Sequence, residues 1–154
     1  MTTDQALADE IVGTVRQWVE RDVIPNASEF EHTDTFPQAM FDQMCEFGLF
    51  GSTIAEEYGG LGLDITTYTR IIEELSRGFM SLAGFLNTHQ IGATMIGRFG
   101  TEEQKQRFLP RMFDGSFRAA FSLSEPDAGS DTGALRCRAE RDGDEWVEIG
   151  RTHV

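Results

Sequence analysis

The residues best suited to chemistry lie together between Phe121 and Asp131, in the run FSLSEPDAGSD. Ser122, Ser124 and Ser130 bring hydroxyls that donate or accept, and Glu125 and Asp131 bring carboxylates. Gly129 lets the backbone turn or approach a ligand with no Cβ in the way. Pro126 breaks any strand ladder, so hydroxyls and amides are presented together on a loop able to hold a phosphate or a polar ring.

Such a loop needs an element to carry it. Arg118 to Ser124 alternates Ala119, Phe121 and Leu123 on one face with Ala120, Ser122 and Ser124 on the other, which predicts a half-buried strand. In a second predicted strand Leu135, Cys137 and Ala139 alternate with Arg136, Arg138 and Glu140, Asp142-Gly143 is a hairpin signal, and Glu145 to Ile149 returns as a third strand. Trp146, Val147 and Ile149 then belong to a sheet with few partners, whose edge is left unpaired.

Upstream the period is helical. Leu7, Ile11, Val15 and Trp18 form a stripe over Asp4 to Asp22, with Pro25 ending that helix or following its end. Pro37 opens a second helix that packs Met40, Phe41, Met44 and Phe47 inward and stops at Gly48. Gly51, Gly59, Gly60 and Gly62 predict a loop, after which Asp64 or Thr66 caps a helix with the stripe Tyr68, Ile71, Ile72 and Leu75. From Met80 to Phe99 Arg98 is the only charged side chain, which predicts a helix buried nearly all round, with small residues that let another element or a ligand come close. Thr101 and Gln104 form a capping box for the next helix, in which Phe108 and Met112 face inward and Pro110 limits the length.

The chain has 154 residues, 40% of them hydrophobic, with 12 Phe, enough for a packed core. Thirteen Lys plus Arg against 26 Asp plus Glu give a net charge of -13, which argues against nucleic-acid binding. The spacing of Cys45 and Cys137 suggests neither a disulfide framework nor a zinc site. MTTDQALADE lacks the pattern of a signal peptide, and no long apolar run predicts a membrane span, so a cytoplasmic location is expected.

Leu123, Ser124, Glu125, Ala128, Gly129, Ser130, Asp131 and Ala134 resemble the flavin-binding signature of the acyl-CoA dehydrogenase family. Ser122 departs from it, standing where the family usually has Ala, Cys or Gly. EEYGGLGLD, from Glu56 to Asp64, resembles the family's glycine-rich connection, and FGTEEQKQRFLPRM, from Phe99 to Met112, resembles its helix before the first strand. The resemblance implies an α+β fold: an all-α helical domain over 1–117, then the first strands of a truncated β-barrel or sheet domain over 118–154, about the first two-fifths of such an enzyme.

It further implies FAD as cofactor and acyl-CoA as substrate. The family's reaction is α,β-dehydrogenation: a carboxylate takes the proton beside the thioester carbonyl while the β-hydrogen leaves as hydride to the flavin. By resemblance Phe121, Ser122, Leu123 and Ser124 lie along the isoalloxazine, Gly129 and Ser130 reach the pyrophosphate, and Ser130 also lies near the substrate. The family's catalytic Glu has no counterpart here, so no catalytic residue is assigned. The expected partners are further copies of this chain or a full-length homologue. Two alternatives stay open: a non-catalytic chain docking on such a homologue, and an acyl-CoA oxidase or flavin monooxygenase of the same fold.

Other polar residues carry plainer readings. Glu125 and Asp131 are expected to be structural carboxylates, Asp131 accepting N–H groups within its own loop and Glu125 capping or pairing near the strand end, and Glu56-Glu57 and Glu73-Glu74 to be solvated surface. His89 either lines the acyl pocket or is a hydrogen-bonded core histidine. Arg136 and Arg138 either meet phosphates or an adenine, or stand in solvent. His32 and His153 have no partners at metal-ligand spacing.

Overall fold

The computed structural model describes residues 3–150. Two compact units divide the chain, Met1–Ala120 and Phe121–Val154; the first holds the α-helices and the second a two-stranded antiparallel sheet, the α+β class expected.

The first helix, α1 (Gln5–Trp18), begins at Asp4, whose carboxylate accepts the N–H groups of Ala6 and Leu7. Its buried residues are Ala8, Val12, Val15 and Trp18, whereas Leu7 is 48% exposed, so the buried stripe is rotated from the expected one. Leu7 and Ile11 instead border a surface groove with Phe47. Pro25 does not end the helical run. The chain passes from α1 through a π-helical turn (Val19–Val23) into α2 (Ile24–Thr33), where Pro25 sits in the first turn and tolerates its missing N–H.

Helix α3 (Gln38–Glu46) follows Pro37 and buries Met40, Phe41 and Met44, with Phe47 packed against the core and Gly48 turning out at φ 68°. The glycine-rich stretch forms the expected loop, with short 3-10 turns at Leu49–Gly51 and Glu56–Tyr58. Gly60 is needed for space: an added Cβ would lie 2.0 Å from the Ile54 carbonyl oxygen.

Asp64, not Thr66, caps α4 (Ile65–Gly78), accepting the N–H groups of Thr67 at 2.8 Å and Thr3 at 2.7 Å. These backbone hydrogen bonds lower its pKa to about 2. Glu74 departs from the solvated surface expected of it. It is 6% exposed and binds Arg16 of α1 at 2.7 Å and Arg77 at 2.9 Å, joining two helices whose apolar faces already meet.

Helix α5 (Met80–Phe99) has the predicted bounds but is not buried all round. Leu82, Ala83, Leu86, His89, Gln90 and Ala93 face the core, while Phe85, Met95 and Phe99 are 40%, 52% and 81% exposed. The neighbouring helices cover one side, and an apolar composition does not by itself bring a second layer. Gly92 does allow close approach: an added Cβ would lie 2.3 Å from the Ala119 Cβ. The last helix, α6 (Glu102–Phe113), carries the predicted capping box at Thr101, with Leu109 and Met112 buried and Phe108 stacked on Phe117. It runs past Pro110 to Phe113, because the ring sits on the exposed side near the helix end, where one lost hydrogen bond is tolerated.

In the second unit β1 (Arg138–Asp142) pairs antiparallel with β2 (Glu145–Ile149), from Asp142 opposite Glu145 to Arg138 opposite Ile149. Gly143 takes the first loop position at φ 62°, which the hairpin signal anticipated. The second strand begins at Arg138 rather than Leu135, because the N–H groups of Arg136 and Cys137 turn to the Glu125 carboxylate. The predicted strand at 118–124 is not a strand here. None of its backbone groups pairs with another among the described residues, and a strand's regular form comes from its neighbour.

Candidate functional site

All six residues expected to hold a cofactor, Phe121, Ser122, Leu123, Ser124, Gly129 and Ser130, lie in the second unit. Their loop is fastened at its base. The Glu125 N–H donates to the Ala128 carbonyl at 2.8 Å and the Ala128 N–H returns a bond at 3.2 Å. The Glu125 carboxylate accepts the N–H groups of Arg136 at 2.9 Å and Cys137 at 2.7 Å, which ties the loop to the start of β1. Asp131 accepts the Gly133 N–H at 3.2 Å within its own turn. Both carboxylates are thus structural, as the sequence suggested: Asp131 acts within its own turn, and Glu125 ties the loop to the start of β1.

What this fastening leaves open is informative. Ser122, Ser124 and Ser130 are exposed, Phe121 is 46% exposed, and Leu123 and Gly129 are half-buried. A Cβ at Gly129 would meet nothing within 4 Å, and Gly129 is not among the residues at positive φ. The fold itself therefore makes no demand for glycine there, in contrast to Gly60. The hydroxyls and the amides before Glu125, without partners among the described residues, and an uncrowded glycine form a donor set that suits a phosphate-bearing ligand with a polar ring.

The charged groups nearby are partly occupied. Arg138 pairs with Glu140 at 2.6 Å, and Arg136 reaches Asp127 at 3.9 Å while remaining 81% exposed. The Cys137 thiol donates to Glu148 at 3.3 Å, and that bond, followed by burial and the Glu148 charge, raises its pKa.

The polar patch expected on α5 separates into different surroundings. Gln90 is buried and braces the preceding loop, accepting from the Thr53 hydroxyl at 2.6 Å and donating to the Phe50 carbonyl at 2.8 Å. Asn87 is exposed. His89 is 1% exposed and lines a cavity of about 510 Å³ with Phe41, Phe50, Phe85 and Arg118. Neither of its ring nitrogens meets hydrogen-bond geometry with a partner among the described residues, so the hydrogen bond expected of a core histidine is not made. Burial pushes its pKa down, the carbonyls of Met112 and Phe50 lie close enough to oppose that, and Arg118 adds to the lowering. The Arg118 guanidinium stacks 4.8 Å from the Phe41 ring centre. Sequence periodicity marked none of this pairing, because it joins residues far apart in the chain.

Among the described residues no cluster of three His, Cys, Asp or Glu side chains is placed to hold a metal, and no helix is long and apolar enough to cross a membrane. His153 lies outside the described residues.

A family model described as the acyl-CoA dehydrogenase N-terminal domain matches residues 6–116. The short-chain specific acyl-CoA dehydrogenase of Clostridium acetobutylicum is 36% identical over 151 residues, 97% of this chain and 39% of its own length. The (2S)-methylsuccinyl-CoA dehydrogenase of Cereibacter sphaeroides is 37% identical over 149 residues, 90% of this chain and 27% of its own length. A glutaryl-CoA dehydrogenase from Mycobacterium smegmatis, solved in complex with FADH2, aligns with a TM-score of 0.84 at 32% identity, covering 96% of this chain and 38% of that one. The chain thus spans between 27% and 39% of the length of these proteins.

Proposed function

Because that match covers most of its length, the chain belongs to the acyl-CoA dehydrogenase family, and we propose that it supplies one wall of an FAD site for α,β-dehydrogenation of acyl-CoA thioesters. The observation that carries this reading is the loop after Ser124: Glu125 fastens it, while Ser130 and an uncrowded Gly129 are left free. When bound, FAD supplies the hydride acceptor. Phe121, Ser122, Leu123 and Ser124 flank the flavin ring, Gly129 and Ser130 approach the pyrophosphate, and Ser130 also lies near the thioester. Residues 1–117 act as the helical domain and 118–154 as the start of the β domain. Glu125 and Asp131 are not assigned as the base that removes the substrate proton, since both are committed to backbone amides.

One wall does not make a site, so the chain on its own should hold FAD weakly or not at all and should not oxidise acyl-CoA. Flavin fluorescence titration of the purified chain tests this, and any affinity measured should fall with Gly129→Val. A stable yellow protein that reduces a flavin acceptor with acyl-CoA would overturn it.

A second reading is favoured by the exposure of Met95, Phe99 and Trp146 at 52%, 81% and 69%: the chain docks as a non-catalytic partner on a longer homologue. A well-behaved monomer that does not bind such a homologue by light scattering would count against it.

A further inference from the structure

The helical unit contains a second cavity of about 510 Å³, between the 53–58 loop, the C-terminal half of α5 and the start of α6. Its floor is apolar: Ile54, Leu63, Ala93 and Leu109 line it and are 2–7% exposed. Its rim carries Arg98 and Lys105, the latter the only lysine in the sequence.

These two cations differ from every other Arg among the described residues. Arg16, Arg21, Arg70, Arg77, Arg136 and Arg138 form ion pairs. Arg107, Arg111 and Arg118 stack on aromatic rings, and Arg141 donates to the Gly143 carbonyl. Arg98 and Lys105 do none of these, in a chain where acids outnumber bases two to one, with 26 Asp plus Glu to 13 Lys plus Arg. Two unpaired cations above one apolar floor suit a ligand with a hydrocarbon body and an anionic head. Glu57 also lies on the rim and the Glu102 carboxylate accepts the hydroxyl of the lining Tyr58 at 3.1 Å, so these acids offset the two cations and a head with a single negative charge suits the rim better than a dianion.

We infer that this cavity binds an apolar carboxylate, its tail on Ile54, Ala93 and Leu109 and its head between Arg98 and Lys105. The site shares no residue with the flavin loop and does not depend on the function proposed above.

Octanoate, octanol and acetate titrated into the isotope-labelled full chain separate the contributions of head and tail. Octanoate should shift the amides of Ala93, Gly97 and Leu109, and octanol and acetate should each bind about tenfold more weakly or worse. Arg98→Gln with Lys105→Gln should reduce octanoate affinity about tenfold and leave octanol unchanged. Thr94→Trp, which fills the cavity without altering its charge, should weaken both. Should the double variant fail to fold, the two single variants carry the same comparison. The inference is overturned by unchanged octanoate affinity in the charge variants, by octanol binding as tightly as octanoate, or by octanoate shifts confined to another part of the chain.

Discussion

The two units of this chain are held together by different physics. In Met1–Ala120 the side chains of Val15, Ile71, Leu82 and Leu86 are at most 1% exposed and pack in one cluster, so burial of apolar area sustains the helices. In the described part of Phe121–Val154 Ala128 is the only buried residue, and order comes from hydrogen bonds: the Glu125 carboxylate, the Asp131 turn and the hairpin ladder. The residues that resemble the family's flavin-binding signature lie in the second region. The chain's chemical information and its stability are therefore carried by separate stretches of sequence, and a loop with little core of its own relies on a fastener such as Glu125.

The contrast breaks most readily at the core. Ile71→Ala removes a side chain with no exposed surface and should cost about 2–5 kcal/mol, read as a lower urea midpoint of helical circular dichroism. Trp146→Ala, at a position 69% exposed, should leave that transition unmoved; an equal loss from both would mean that the units do not differ as described.

An intermediate effect is expected at Glu74. Its hydrogen bond to Arg16 lowers its pKa below the ordinary 4.5, burial opposes this, and Arg77 adds to the lowering. A lowered folded-state pKa means stability that is present above the unfolded value and is lost as pH falls through the folded one. The urea midpoint should thus hold from neutral pH down to about 4.5 and then fall, with Asp64 extending the fall toward its pKa of about 2. Glu74→Gln should cost about 1 kcal/mol at pH 7 and flatten the upper part of this acid slope, because both arginines are half-exposed and well screened.

The smallest global effect belongs to the second region. Glu125→Ala should leave the helical transition within about 0.5 kcal/mol of the parent, yet speed hydrogen exchange at the amides of Arg136 and Cys137. Unchanged exchange there would remove Glu125 from its role as fastener.

Local chemistry was readable in the chain. The capping box at Thr101, the turn at Gly143 and the bounds of α5 all follow from contacts within a few residues. The prolines were harder to read. Pro25 and Pro110 are tolerated because a π-helical turn precedes one and a helix end follows the other, and composition encodes neither circumstance. Glu74 looked like surface because its partner Arg16 lies 58 residues away.

The sequence by itself determined the family, the helical periods and the set of groups offered around Gly129, since each depends on residue identity at short spacing. Only the tertiary structure decided which face of α1 is buried, that among the described residues 118–124 has no ladder partner and the His89 nitrogens no hydrogen bond, and that Arg98 and Lys105 share a cavity rim. Those outcomes depend on what distant segments bring alongside. Burial, pairing and desolvation are properties of neighbours in space, which no local pattern specifies.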